Sequence, residues 1–373
     1  MKIISVFNNK GGVGKSTLSY HLGHALGKLN KKVLFIDLDP QCNLTINSID
    51  EHVLEKIWQD EQSFISDFEA ARKNIDLFNK LKTSNRSIHF ILKPTEDGQT
   101  DLEKEDLPPP IELSKNVSLI PGRLSIQTYE NKIAERWSAL YQGDNLAIRT
   151  VTNIRRICDM YAEVYGYDYI IVGTSPNLGI FNKVVISTVD GFFIPTQPDM
   201  FSLFGIRNIG NSLELWQNEF DTIYKLISTD KRKKFPRKFV QCIGFTIYNA
   251  KKYDSKNNDY GLADAHYKYA TAIPDVIEEN INVRNRANVA DIRVPIGNFS
   301  VIHTHNAYPS VAQALKCPMW EVPEVYKELE AGNLGYLKEN SIEVNLRSYG
   351  KYEKTLKSYI DFCYDFINRA EVL

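Results

Sequence analysis

The chain has 373 residues, 43% of them hydrophobic and 24% charged, with a formal net charge of -1. That is the profile of an ordinary globular protein long enough for a large core; it excludes a globally basic nucleic-acid binder, but not a local basic patch. Five cysteines (Cys42, Cys158, Cys242, Cys317, Cys363) are scattered without a CxxC pair, so they read as reduced thiols of a cytoplasmic protein, and no apolar run approaches the ~18 residues of a membrane span.

The first predicted strand, "IISVF" (3–7), is continuously apolar, as expected of a parallel strand covered on both faces. It leads into "NNKGGVGKST" (8–17) and then a helix in which Leu18, Leu22, Ala25, Leu26 and Leu29 share one face. Strand, glycine-rich turn and helix in that order define a P-loop. Gly11, Gly12 and Gly14, with Val13 between them, let backbone N–H groups turn toward phosphate oxygens. Lys15 sets a cation beside the β- and γ-phosphates, Ser16 offers its hydroxyl to Mg²⁺, and Thr17 reaches an α-phosphate at the helix N-terminus. Lys10 is one cation more than a simple cradle needs.

The next strand, "VLFI" (33–36), ends in Asp37 and Asp39 on the P-loop edge, where strand alternation would point both carboxylates the same way. Residues 50–112 are longer than a βα unit requires. Their first half reads as helix. The second half ends in "TEDGQTDLEKEDLPPP", six acids against one lysine, which reads as a solvated loop closing a helical insertion, with an acidic partner-docking element as the alternative. Strands follow at "VSLI" (117–120), "YIIV" (169–172), "GFFIP" (191–195) and "CIGFTIY" (242–248). Strands alternating with helical stretches predict an α/β fold, a doubly wound, mostly parallel sheet flanked by helices.

Between the last two strands lies "DKRKKFPRK" (230–238), with Lys231, Arg232, Lys233, Lys234, Arg237 and Lys238; Arg284, Arg286 and Arg293 follow. These cations read either as salt-sensitive contacts to a DNA backbone or as a solvated charge run. From about 350, Leu356, Tyr359, Ile360, Cys363 and Ile367 recur at helical spacing, with Asp361 and Asp365 mixed among Lys354, Lys357 and Arg369. That suits a terminal helix packed on the domain, and is less basic than a membrane-surface helix. The chain thus reads as one domain over 1–373, with an insertion at about 50–112 and a C-terminal helical extension at about 320–373.

Four of these stretches, in this order, resemble the motifs of the ParA/MinD family of P-loop ATPases. "KGGVGKS" is similar to the family's deviant Walker A motif, and "KKVLFIDLDPQCNLT" (31–45) to its strand ending in D-x-D-P-Q-x-N. "YDYIIVGTSPNLG" (167–179) and "VDGFFIPTQPDMFSLFGI" (189–206) resemble the next two, and "ATAIPDVIEENINVRN" (270–285) looks like the segment beside the base. The D-P-Q form favours ParA over MinD. The resemblance omits residues 50–112 and the end of the chain.

The resemblance implies an ATPase that uses ATP and Mg²⁺. Lys10 would cross into a partner subunit's nucleotide, so that a homodimer sandwiches two ATPs. Asp39 would orient or deprotonate the attacking water, Asp37 would support the magnesium shell with Ser16, and Asn249 and Pro274 would lie near adenine. Such dimers coat DNA non-specifically and leave it when a ParB-like or other partner stimulates hydrolysis, which implies a nucleoid-associated cytoplasmic protein in DNA partition or positioning.

One position departs from the pattern. Gly173 stands where the family keeps an aspartate for a magnesium-bound water. Its loss should slow hydrolysis more than it weakens ATP binding. Three explanations stay open: slow hydrolysis with Asp37 or Thr174 compensating, a switch that turns over only with a partner, or a substitution that traps the ATP state. Other functions also stay open: a MinD-like positioning ATPase on a membrane, a metabolic P-loop enzyme such as a biotin-pathway synthetase or amidoligase, and a partner-regulated switch in a mobile-element or defence system.

Overall fold

The structure is a computed structural model and describes residues 1–248, 250, 253, 257–298, 308–339, 342 and 349–373. In chain order the elements are β1 (Lys2–Val6), α1 (Lys15–Lys28), β2 (Val33–Asp37), α2 (Asn43–Ser48), α3 (Glu51–Ser66), α4 (Phe68–Lys73), α5 (Ile75–Lys82) and α6 (Ile88–Glu96). Then come β3 (Ile111–Ser114), β4 (Val117–Ile120), α7 (Gln127–Arg136), α8 (Asn145–Tyr165), β5 (Tyr169–Gly173), α9 (Ile180–Thr188) and β6 (Gly191–Thr196). The last third holds α10 (Met200–Leu226), α11 (Thr229–Arg232), β7 (Gln241–Ile247), α12 (Asp264–Asn280), α13 (Tyr308–Ala314), α14 (Val322–Gly332), α15 (Leu334–Glu339) and α16 (Tyr349–Glu371).

The strands form one sheet in the order β3-β4-β2-β5-β1-β6-β7. The pairs from β4 to β7 are parallel and the edge strand β3 is antiparallel to β4. All six predicted strands form. β3 was not anticipated: "IELS" alternates half-buried and exposed residues on an edge, so it lacks the continuous apolarity that marks a central strand.

Strand periodicity sorts the core into two layers. Ile3, Leu34, Ile36, Ile170, Val172, Phe192 and Ile194 pack on one face with α7–α10, α12 and the insertion. Ile4, Val33, Phe35, Ile171 and Phe193 pack on the other with α1 and the C-terminal helices. The insertion is part of the first layer, since Phe64, Phe68, Phe90 and Leu92 sit in the same cluster as the sheet residues.

The acid run at 95–110 is solvated in part, with Asp97, Glu103 and Glu105 exposed, and otherwise packed. Glu96 is buried and takes hydrogen bonds from Lys93 Nζ at 2.6 Å and from Thr128 at 2.8 Å, with His89 Nε2 2.8 Å away. Burial alone would raise its pKa, but His89 and Lys93 bring it down to about 2. Asp106 pairs with Lys82 at 2.8 Å and Asp101 lies 3.4 Å from Arg149, while Leu102 and Leu107 are buried. Local composition missed this because the neutralising cations come from α5, α6 and α8.

The C-terminal helix forms as expected, and its buried face includes Phe362 and Phe366 beside the predicted Tyr359 and Cys363. It lies against α1: Tyr359 stacks on His21 with ring centroids 5.4 Å apart. Among the described residues all five cysteines are free and buried, and no helix is long and apolar enough to cross a membrane.

Candidate nucleotide site

The P-loop joins β1 to α1 at the carboxyl edge of the sheet, where open α/β sheets bind ligands. Gly14 is the residue before α1 and takes φ 80°. A Cβ there would stand 2.3 Å from a ring carbon of Tyr248, so both backbone conformation and space demand glycine. Nothing lies within 4 Å of the Cβ positions of Gly11 and Gly12. The cradle is open where phosphate oxygens would sit, and α1 presents its unpaired N–H groups to it.

Lys15 donates to Lys10 O at 3.0 Å across the mouth of the loop. Burial lowers its pKa to about 8, against the opposing pull of Asp39. A desolvated ammonium with one carbonyl partner is a strong anion receptor. Lys10 does not project away from the chain in this structure. Its Nζ donates to Gln197 Oε1 at 2.8 Å and forms an ion pair with Asp199, the residue that caps α10 through Ser202 N–H at 2.8 Å.

β2 ends at Asp37, so the alternation expected to point Asp37 and Asp39 the same way stops before Asp39. Asp37 is fully buried and accepts from Thr45 N–H and Thr45 Oγ1, both at 2.8 Å, and from Asp39 N–H at 3.2 Å. Burial raises its pKa to about 6, against these hydrogen bonds. Asp39 accepts from Gln41 N–H at 3.0 Å and Asn43 Nδ2 at 3.3 Å, so it shapes the turn that follows it. Gly173 pairs with Asp37 in register. A Cβ on Gly173 would lie 3.1 Å from Asp37 Oδ1 and 3.3 Å from Leu44 Cδ2, so an acid there would sit tightly against another carboxylate.

These residues fit a nucleoside triphosphate: an open glycine cradle, a helix N-terminus and a lysine short of partners. They also fit Mg²⁺, which keeps several waters and takes only one or two protein oxygens beside phosphate. Ser16 on the first turn of α1 would supply one. Among the described residues no cluster of three or more His, Cys, Asp or Glu is arranged to hold a metal alone. Asn9 Oδ1 and Thr174 Oγ1, in the loops after β1 and β5, are buried without a hydrogen-bond partner, and a bound nucleotide's water shell would satisfy such atoms.

Two residues were expected beside the base. Asn249 lies outside the described residues. Pro274 is buried inside α12, where helical packing accounts for it. Tyr248, whose ring covers Gly14, was missed; its place directly after β7 was the available signal.

Of the six predicted DNA-contacting cations, half are occupied. Lys231 donates to Gly143 O, Arg232 donates to Tyr224 O and Ile227 O at the end of α10, and Lys233 pairs with Asp230 at 2.9 Å. Lys234, Arg237 and Lys238 are exposed and have no side-chain partner among the described residues. They line a cavity of about 420 Å³ with Arg155, Asp190 and Gln241. Arg293 is tied to Asp275 and Glu278, and Arg284 donates to Asn218 Oδ1 at 2.9 Å.

Sheet, P-loop and flanking helices define a P-loop nucleoside triphosphatase fold with the deviant, two-lysine form of the loop. Residues 1–226 match the family model AAA_31, an AAA domain. The chain belongs to this ParA/MinD-type family of P-loop ATPases.

It is 25% identical over 222 residues to the sporulation initiation inhibitor protein Soj of Bacillus subtilis, covering 59% of this chain and 68% of that protein. It is 26% identical over 262 residues to the virulence plasmid ParA family protein pGP5-D of Chlamydia psittaci, covering 69% of this chain and 80% of that one. The chain spans about half to two thirds of the length of other curated relatives it matches, 52% of one from Mycobacterium tuberculosis and 66% of one from Methanocaldococcus jannaschii. The solved structure of pNOB8 ParA superposes with a TM-score of 0.55 at 17% identity, covering 99% of this chain and 98% of that one. The ATP complex of a Cyanothece McdA variant superposes at 0.52 with 16% identity, over 92% and 98%. At such identities the superpositions show the fold.

Proposed function

We propose that the protein is a ParA-like ATPase that binds ATP and Mg²⁺, dimerises around them, and in that state binds DNA or a protein partner in partition or positioning. The observation that carries the reading is the P-loop with two lysines, one desolvated and one parked on an acid of its own chain. Lys15 receives the triphosphate. Lys10 leaves Asp199 and Gln197 to meet the second copy's nucleotide, so pairing becomes favourable only when phosphate charge outweighs the internal ion pair. Asp39 orients the attacking water, and Asp37 and Ser16 flank the cation. Magnesium, when bound, neutralises developing charge on the phosphates.

Gly173 removes one oxygen ligand from the cation's surroundings, so intrinsic hydrolysis is slow and a ParB-like or other partner accelerates it. DNA is held through phosphates by Lys234, Arg237 and Lys238. A related protein, pNOB8 ParA, has been solved bound to nonspecific DNA, which supports this choice over a membrane.

Analytical ultracentrifugation with ATP and Mg²⁺ tests the reading. The native chain should shift to dimer, Lys10→Ala should stay monomeric, and Asp199→Asn, which keeps the α10 cap, should dimerise at several-fold lower ATP. Monomers at saturating ATP for all three proteins would overturn it.

A further inference from the structure

The carboxylate at the end of β2 is held from outside its own strand. Thr45 on α2 donates both its N–H and its hydroxyl to Asp37 Oδ2 at 2.8 Å. The same hydroxyl accepts Gly122 N–H at 2.8 Å. A hydroxyl that gives one hydrogen bond and takes another has a set direction, and Thr45 is fully buried. Gly122 presses on the acid from the loop after β4: a Cβ there would stand 3.1 Å from Asp37 O and 3.3 Å from its Cγ.

The contacts continue into the insertion. Trp58 Nε1 on α3 donates to Gly122 O at 3.1 Å. The neighbouring Arg123 donates to Trp58 O at 3.0 Å and to Glu61 Oε1 at 2.9 Å. Glu61 is fully buried and also receives Ser87 N–H at 3.0 Å, just ahead of α6. Such an ion pair is held in one geometry because breaking it would strand a buried charge. An unbroken series of polar contacts therefore runs from helices of the insertion to an acid beside the phosphate cradle.

We propose that Thr45 is a positioning residue of the nucleotide site, orienting Asp37 toward the cation that accompanies the triphosphate, and that the insertion sets Thr45 through Gly122 and the Glu61–Arg123 pair. This rests on the nucleotide reading above. It gives the insertion a task that packing alone does not require: a force on α3 or α6 reaches Asp37 through buried hydrogen bonds, without crossing the P-loop.

The test is equilibrium titration of a fluorescent ATP analogue with and without Mg²⁺, on the native chain and on Thr45→Ser, Thr45→Val and Glu61→Gln, with melting curves alongside. Thr45→Val should lower the Mg²⁺-dependent gain in affinity at least fivefold and leave magnesium-free affinity unchanged. Thr45→Ser should keep the gain, and Glu61→Gln should lose part of it. An undiminished gain in Thr45→Val, or a Thr45→Ser as impaired as Thr45→Val, overturns the role of the hydroxyl. A Glu61→Gln protein that melts lower but keeps the whole gain overturns the link to the insertion. Failure of the native chain to bind the analogue at all would instead count against the nucleotide reading.

Discussion

Lys15 carries its charge against the pull of its surroundings. Burial lowers its pKa to about 8 from 10.5, so between those values the unfolded chain holds a proton that the folded chain does not. Stability from this group is therefore complete above about 10.5 and is lost as pH falls through 8. At neutral pH the lysine is a standing cost in the nucleotide-free protein. A triphosphate reverses the balance by supplying negative charge. ATP affinity should fall as pH rises through about 8, with proton uptake on binding at about pH 8.5; calorimetry in two buffers of different ionisation enthalpy measures both. Lys15→Met should abolish binding yet melt no lower than the native nucleotide-free protein.

The lysines and glycines of this site were readable because a phosphate cradle needs a contiguous run of residue types. The partners that restrain them were not. Asp199 reaches Lys10, and Thr45 and Gly122 reach Asp37, only because β6, α2 and the loop after β4 end on the same edge of the sheet.

At the scale of elements, the parallel strands announced themselves by uninterrupted apolarity, since helices cover both their faces. Edge strand β3 did not, because half of it meets water. The terminal helix shows the same limit: its stripe was legible, but its centre moved to Phe362 and Phe366 once α1 and β6 supplied the packing partners. Helix α10 packs on the end of α12 at Gly210, where an added Cβ would fall 2.1 Å from Asn280 O, a backbone atom. Gly210→Ala must push two helices apart. Such overpacking costs roughly 1–3 kcal/mol, and urea unfolding should show a loss of that order without a change in slope. A near-native midpoint would mean that the α10–α12 contact yields freely.

Across the whole molecule, two charged regions occupy opposite edges of one sheet. The P-loop follows the carboxyl end of β1, whereas Lys234, Arg237 and Lys238 share their cavity with Asp190 and Gln241 at the amino ends of β6 and β7. A six-residue strand such as β6 spans about 20 Å, so under the proposed function DNA on this patch would not touch the nucleotide, and ATP would influence it by bringing two patches together in a dimer. Three phosphate contacts per protomer predict a slope of log affinity against log salt of about −2.7, roughly doubled in the dimer. Replacing Lys234, Arg237 and Lys238 by glutamate should abolish the shift of random duplex DNA in an ATP-dependent gel assay. Lys231→Gln with Arg232→Gln should leave it unchanged, since those side chains are already occupied. Equal loss from both sets would place the DNA elsewhere.

Order along the chain was enough to give the class of fold, the glycine-rich turn between β1 and α1, and the family, because each depends on local patterns: apolar runs, glycines at fixed spacing, a lysine and a serine opening a helix. It could not say which charges are free. Six clustered basic residues became three, an acid-rich segment sent Glu96, Leu102 and Leu107 into the interior, and a lysine expected to face a second copy was found on an acid of its own chain. Those outcomes depend on pairings such as Arg136 with Thr95, 41 residues apart in the chain, and Lys10 with Asp199, 189 apart. Coulomb attraction and desolvation act through space, so only the folded arrangement decides them.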